Sequence, residues 1–105
     1  PTQVCIVPIS NEKHVEFSEK VFKKLNDLGI RVKLDDRSES MNYKIREALQ
    51  DKKIPYVAVI GDKEIEANSL AIRARGVGQI GVFEIDTFVE KLVNEINSKG
   101  KETIA

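Results

Sequence analysis

The sequence predicts an α/β domain, a three-layer α/β/α arrangement around a five-stranded, mixed but mostly parallel sheet with three helices. Three observations predict it. The runs Val4-Cys5-Ile6-Val7 and Tyr56-Val57-Ala58-Val59-Ile60 are apolar at every position, as strands covered on both faces are. Between and after them, apolar residues recur at helical spacing. The length of 105 residues sets one domain, residues 1–105, with one core.

The elements follow in order. The first strand is bounded by Pro8, and Ser10 or Asn11 is placed to cap a helix whose inner face is Phe17, Val21, Leu25 and Leu28. Glu16 with Lys20 and Glu19 with Lys23 support its outer face at i,i+4 spacing, and Gly29 ends it. Ile30, Val32 and Leu34 alternate with Arg31 and Lys33, the pattern of a half-exposed strand near a sheet edge. A polar stretch, residues 35–40, leads into a second helix from Met41, with Met41, Ile45, Ala48 and Leu49 inward. The second apolar run is closed by Gly61.

A β-α-β-α-β order with right-handed crossovers puts the strands in the order second, first, third. The stretch 61–68 is too short for a helical crossover, so residues 69–75 return antiparallel. Leu70, Ile72 and Ala74 share one face of that strand, and Arg73 and Arg75 the other. Residues 80–83 add a short strand after a Gly-rich turn. A last helix over 85–98 carries Ile85, Phe88, Leu92 and Ile96 as its apolar stripe, and 99–105 reads as a frayed tail.

Composition narrows function by exclusion. Lys plus Arg and Asp plus Glu balance at 17 each, which argues against a protein that coats nucleic acid through many phosphates. It leaves room for a module that reads a few unstacked bases. No apolar run is long enough to cross a bilayer and there is no signal peptide, so a cytoplasmic place is expected. The first residue, Pro1, reads as the start of a trimmed chain or of a piece of something longer. The single cysteine, Cys5, lies in an apolar strand and reads as core. The single histidine, His14, lies among charged residues and reads as a solvated helix position, so no metal site is expected.

Two motifs suggest chemistry and fail on context. Gly76-Val77-Gly78-Gln79-Ile80-Gly81 matches G-x-G-x-x-G, but it follows the fourth strand and leads into Val82-Phe83. A dinucleotide site needs the glycines between a first strand and a helix, and a P-loop needs Lys and Ser/Thr where Val82-Phe83 stands. Asp35-Asp36 could hold magnesium, yet neighbours on a strand point to opposite faces. A turn paired with Arg37 is the better reading. With no Ser/His/Asp or Cys/His set, no catalytic residue is expected.

Taken as a set, Gly29-Ile30-Arg31-Val32, Asp35-Asp36-Arg37, Lys44-Ile45-Arg46-Glu47, Ile54-Pro55-Tyr56, Gly61-Asp62-Lys63-Glu64 and Ala71-Ile72-Arg73-Ala74-Arg75 resemble the class II aminoacyl-tRNA synthetase anticodon-binding domain. The resemblance runs from Gln3 to about Asn97, and the third and fifth signposts resemble its threonyl branch. It implies a carboxy-terminal module that binds the anticodon loop of tRNA and has no cofactor of its own. A parent ligase would act with ATP and zinc in a separate catalytic domain, dimerise mainly through that domain, and have no DNA or membrane partner.

The resemblance also implies site residues. Glu64 and Arg73 match the positions that read the middle anticodon base, guanine in the threonyl branch. A carboxylate accepts the N1 and N2 protons of guanine, and a guanidinium forks onto O6 and N7. The residue-level alternatives are that Glu64 caps the turn after Gly61 and that Arg73 and Arg75 form a solvated strand face. Ser38 and Lys53 stand where the family has an Asn and an Arg that read the third base, with one extra residue between Arg46 and Pro55. Arg37 of the Asp-x-Arg motif and Arg75 complete the set, Arg75 as a phosphate contact. The other readings are a prolyl-type or free-standing relative, and a flavodoxin-like or receiver-type domain using Asp35 and Asp36.

Overall fold

The computed structural model describes residues 2–99 and 103–104. Strand β1, Val4–Pro8, is buried along its whole length. It pairs in parallel with β2, Val32–Leu34, and with β3, Tyr56–Ile60. Strand β4, Ser69–Ala74, runs antiparallel to β3, and β5, Gly78–Glu84, antiparallel to β4. The five-stranded order is β2-β1-β3-β4-β5, so β4 alone opposes the common direction and the expected core of the topology holds.

Helices α1, Val15–Asp27, and α4, Ile85–Asn97, lie on one face. Their Val21, Leu25, Phe88, Val89 and Leu92 close over Val4, Ile6, Ala58, Ile60, Leu70 and Ile72 as the larger core cluster. Helix α2, Met41–Arg46, continues into the wide turn Glu47–Asp51 on the other face. There Ile45 and Ala48 meet Cys5, Val7, Val57 and Val59. The helices therefore form layers above and below the sheet, but the second layer covers β1 and β3 and leaves β4 and β5 open on that side.

Local details depart from the sequence reading for identifiable reasons. A fourth helix, α3, Asp62–Glu66, occupies one short turn after β3; five residues are too few to show a helical period. Strand β5 starts two residues earlier than expected, at Gly78. Ser10 Oγ accepts from the N–H groups of Glu12 and Lys13 (3.3 and 3.2 Å), so it caps an introductory turn, and α1 begins only at Val15. Leu28 and Ile96, expected inward, are exposed. Leu28 is the last residue before the chain reverses at Gly29, whose φ of 81° needs glycine. Ile30 N–H bonds Leu25 O and Gly29 N–H bonds Asn26 O, the paired closure of a Schellman motif, and Ile30 fills the space instead.

His14 is the clearest correction. It is buried, not solvated: Ser10 N–H donates to Nδ1 (3.0 Å) and Nε2 lies 2.7 Å from Asp62 Oδ1. With Nδ1 accepting, Nε2 carries the ring proton and donates to Asp62. This ties the start of α1 to the start of α3 across the β1–β3 crevice. The expected frayed tail is corrected in part. Residues 100–102 and 105, like Pro1, lie outside the described residues, but Ile104 packs on the larger cluster and its N–H bonds Glu95 Oε1 at 3.2 Å.

Cys5 is buried as expected, and burial, followed by the charge of Asp35, pushes its thiol up to about 11. The thiolate is the reactive form. The native protein should therefore resist a disulfide reagent at neutral pH and react fully only in denaturant. Rapid colour release without denaturant would contradict this placement.

Candidate functional site

The candidate residues divide between the two ends of the sheet. At the C-terminal ends of β1–β3, the loop after β2 is held by a network centred on Asp35. The Arg37 guanidinium donates to it twice, Nε to Oδ1 and Nη2 to Oδ2, each at 2.8 Å, and the Arg37 backbone N–H donates to Oδ1 at 3.3 Å. Arg37 Nη2 also reaches Glu47 Oε1 (2.6 Å), and Tyr43 O–H donates to Glu47 Oε2 (3.0 Å). The Arg37 hydrogen bonds hold the Asp35 carboxyl below the usual range. Arg37, then Tyr43, do the same for Glu47. Lys44, buried at 2% exposure, donates to Asp35 O (3.1 Å) and Asn11 Oδ1 (3.3 Å). Asp35 thus faces inward onto cations while Asp36 faces solvent, so the pair does not converge on a metal.

Ser38 is exposed just beyond this network. Arg37 belongs to the network itself and is mainly a brace for the loop. On the same edge, Glu64 Oε1 accepts the Gly61 N–H at 2.8 Å, closing the first turn of α3. The turn-capping role weighed for Glu64 is therefore real. It also fixes the carboxylate, and Oε2 takes no bond among the described residues.

The other group lies toward the N-terminal end of β3. Arg73 pairs with Val57 and Gln79, and Val57 belongs to the cluster under α2. Paired residues share a sheet face, so Arg73 and Gln79 stand together on the α2 side of the sheet, beyond the part that α2 covers, with Ala71 at the margin of the α2 cluster and Val82 exposed. A register shift between Ile72 and Arg73 leaves Ile80 without a partner on β4. This bulge lets Ile80 pack into the larger cluster while Gln79 keeps its place beside Arg73. The first two glycines of the G-x-G-x-x-G run make the β4–β5 hairpin, with φ of 80° at Gly76 and 99° at Gly78, while Gly81 lies within β5 opposite Ile72. Strand β5, not a helix, follows the turn directly, so no helix N-terminus meets these glycines.

Arg75 follows on an exposed stretch, its N–H bonded to Pro55 O (2.9 Å). Lys53 stands near it, past the wide turn, in the left-handed region at φ 55°. Lys53, Arg73 and Arg75 therefore gather at one end of the open face, and Ser38, Arg37 and Glu64 at the other. Ser38 and Lys53 are not brought together, because the helical stretch Met41–Asp51 separates them by roughly 16 Å at 1.5 Å per residue. Glu64 and Arg73 are also apart: Ser69 touches Glu64 O, and Arg73 is four residues farther along β4, about 13 Å.

Sequence reasoning missed Gln79. Nothing in the sequence marks the bulge that places it beside Arg73.

The five-stranded mixed sheet thus leaves an open face beside α2 with charged residues at both of its ends. Residues 3–95 match the family described as the anticodon binding domain, and the chain belongs to that family. Its relatives name the branch. It is 48% identical over 99 residues to a threonine–tRNA ligase of Caldanaerobacter subterraneus subsp. tengcongensis, covering 94% of this chain and 15% of the relative. To the threonine–tRNA ligase of Streptococcus sanguinis it is 43% identical, covering 96% of this chain and 16% of the relative. The RNA binding domain of threonyl-tRNA synthetase from Cryptosporidium parvum superposes with a TM-score of 0.82 at 29% identity, over 90% of this chain and 23% of that one. The chain spans about 15% of the length of the curated relatives it matches. Among the described residues no helix is long and apolar enough to cross a membrane.

Proposed function

We propose that this domain reads the anticodon of threonine tRNA as the carboxy-terminal part of a threonine–tRNA ligase, with Arg73 as the principal contact to the middle guanine. The observation that carries this reading is the placing of Arg73 beside Gln79 on a sheet face left open by α2. A loop base, already unstacked, can lie flat on such a face and be read at its edges. Arg73 supplies a fork for O6 and N7. Glu64, held by the Gly61 N–H, presents its other carboxylate oxygen to the N1 and N2 protons. A purine between them accounts for the separation of the two side chains, since these edges lie on different sides of the base. Ser38 and Lys53, at opposite ends of the α2 layer, act on different parts of the loop. In this reading the aminoacylation steps, with ATP and zinc, and the dimer contacts belong to the rest of a cytoplasmic ligase.

The test is a titration of anticodon stem-loops that differ only at the middle base, at fixed salt. Arg73→Ala should lose about 1–3 kcal/mol for guanine, the value of one good bidentate base contact, and with it the preference for guanine. Glu64→Gln should also lose preference, because its amide can set a donor against guanine's donors. Arg75→Ala should weaken all four loops about equally. An Arg73→Ala protein that keeps the wild-type ratio between bases would show that the site is assigned wrongly.

A further inference from the structure

Helix α3 has little of its own to hold it in place. It is a single turn of five residues, none of them buried, and so short a helix is not stable without tertiary contacts. Its apolar residue, Ile65, is only partly buried against the larger cluster. Yet this turn carries Glu64, which can read a base only if the turn fixes the direction of its free carboxylate oxygen. The Gly61 N–H bond to Glu64 Oε1 (2.8 Å) closes the turn upon itself and does not tie it to the other elements. At the far end Ser69 Oγ reaches Glu64 O at 3.5 Å, beyond the usual hydrogen-bond range. The firm link is the one from His14, whose Nε2 lies 2.7 Å from Asp62 Oδ1 across 48 residues of chain.

His14 is a fixed point for that link. It is 4% exposed, and Ser10 N–H donates to its Nδ1 at 3.0 Å. Its own N–H bonds Ser10 O (3.1 Å), and its carbonyl accepts from the N–H (3.0 Å) and Oγ (2.7 Å) of Ser18. Asn11, in the same loop, is anchored as well. Its Nδ2 donates to Arg37 O (2.7 Å), and its Oδ1 accepts from Lys44 Nζ (3.3 Å). With Nδ1 accepting from Ser10, the neutral ring donates at Nε2 and so demands an oxygen at one place. Asp62, by contrast, has a side chain 78% exposed. A partner so exposed adds little to stability. What the bond supplies is direction: it fixes how the α3 turn is set on the end of β3.

We propose that His14 is a positioning residue for base reading: through Asp62 it sets the turn that aims Glu64 at the guanine edge. The proposal rests on the anticodon reading above and deepens it. His14 itself stays beneath the surface and acts only through α3.

The experiment changes Asp62, because an exposed side chain can be replaced without emptying the core. Wild type, Asp62→Ala and Asp62→Asn, each as the whole chain, are titrated with stem-loops differing only at the middle base, at fixed salt. Asp62→Ala should lower the preference for guanine about fivefold, the size of one ordinary hydrogen bond. Asp62→Asn keeps an oxygen for the Nε2 proton and should restore the wild-type ratio. If asparagine falls with alanine, the charge at the start of the helix is what matters, and the positioning role is overturned.

A second readout needs no RNA. The Gly61 amide, bonded to Glu64, should exchange with solvent about fivefold faster in Asp62→Ala, while Val57 in β3 keeps its protection. Unchanged exchange at Gly61 overturns the proposal. His14 is the only histidine in the sequence, so its ring nitrogens are directly identified by nitrogen resonance. The proton should sit on Nε2 in wild type, and a neutral ring protonated at Nδ1 overturns the link. A guanine preference that Asp62→Ala leaves whole sinks the positioning role and spares the anticodon reading. A wild type with no preference removes that reading, and the positioning role with it.

Discussion

Replacing Asp35 with alanine is expected to destabilise the fold by about 3 kcal/mol, the lower end of the cost of breaking a buried charge pair. The lower end applies because its partner Arg37 is 44% exposed while the Asp35 side chain is 4% exposed. Alanine would remove the carboxylate that balances the charges of Arg37 and the buried Lys44 and would free the loop that carries Ser38. Arg37→Ala should cost less, since the charge it removes is already half in water. The double variant should be little worse than Asp35→Ala alone, as expected for two members of one network. Denaturant melts of the three proteins read this directly. A ranking in which Arg37→Ala is the worst would relocate the centre of the network.

The same carboxylate sets a pH dependence. Its folded-state pKa lies below its unfolded value, chiefly through the Arg37 hydrogen bonds. Its contribution is therefore complete above the unfolded value, about 4, and is lost as pH falls through the folded one. Wild type should lose stability on acidification through this window, and Asp35→Ala should show a flatter acid limb.

Phe88→Ala is expected to cost about 3–5 kcal/mol, the range for emptying a buried phenylalanine site. The ring is fully buried in the larger cluster. It meets Tyr56 edge-on, at 6.2 Å and 84°, and Phe83 at 6.3 Å. Both contacts lie on the face of the sheet opposite the proposed RNA surface. Each kcal/mol corresponds to about 4–8 °C of melting temperature in a domain near this size, so the loss is easily measured. Below the new transition the variant should keep the wild-type preference for guanine. A changed preference would mean that the cores above and below the sheet are coupled.

How much could be read beforehand follows from what each residue answers to. The runs at β1 and β3 were legible because those strands are sandwiched, and burial on two sides leaves no polar position. The alternation of Leu70, Ile72 and Ala74 was legible because β4 has one covered face. The order of strands followed from connection lengths. His14 and Lys44 were not legible. Their burial depends on partners 48 and 33 residues away, Asp62 and Asn11, and no local pattern encodes such a meeting. At the candidate site, Arg73 could be put on a strand face from alternation alone. That this face is open depends on where α2 stops covering the sheet. Capping occupies Oε1 of Glu64, so it does not exclude the reading role proposed for the same side chain.

The wide turn after α2 is a π turn, and it bears on how such a domain can change over generations. One codon added inside a regular α-helix rotates everything beyond it by about 100° and pushes it on by about 1.5 Å, and a strand as tightly enclosed as β3 could not follow. A π turn takes up a residue beyond the α-helical count as extra girth within a single turn, and after it Ile54 and Pro55 deliver the chain to the start of the strand. A length mutation, usually the most disruptive kind, becomes a local adjustment.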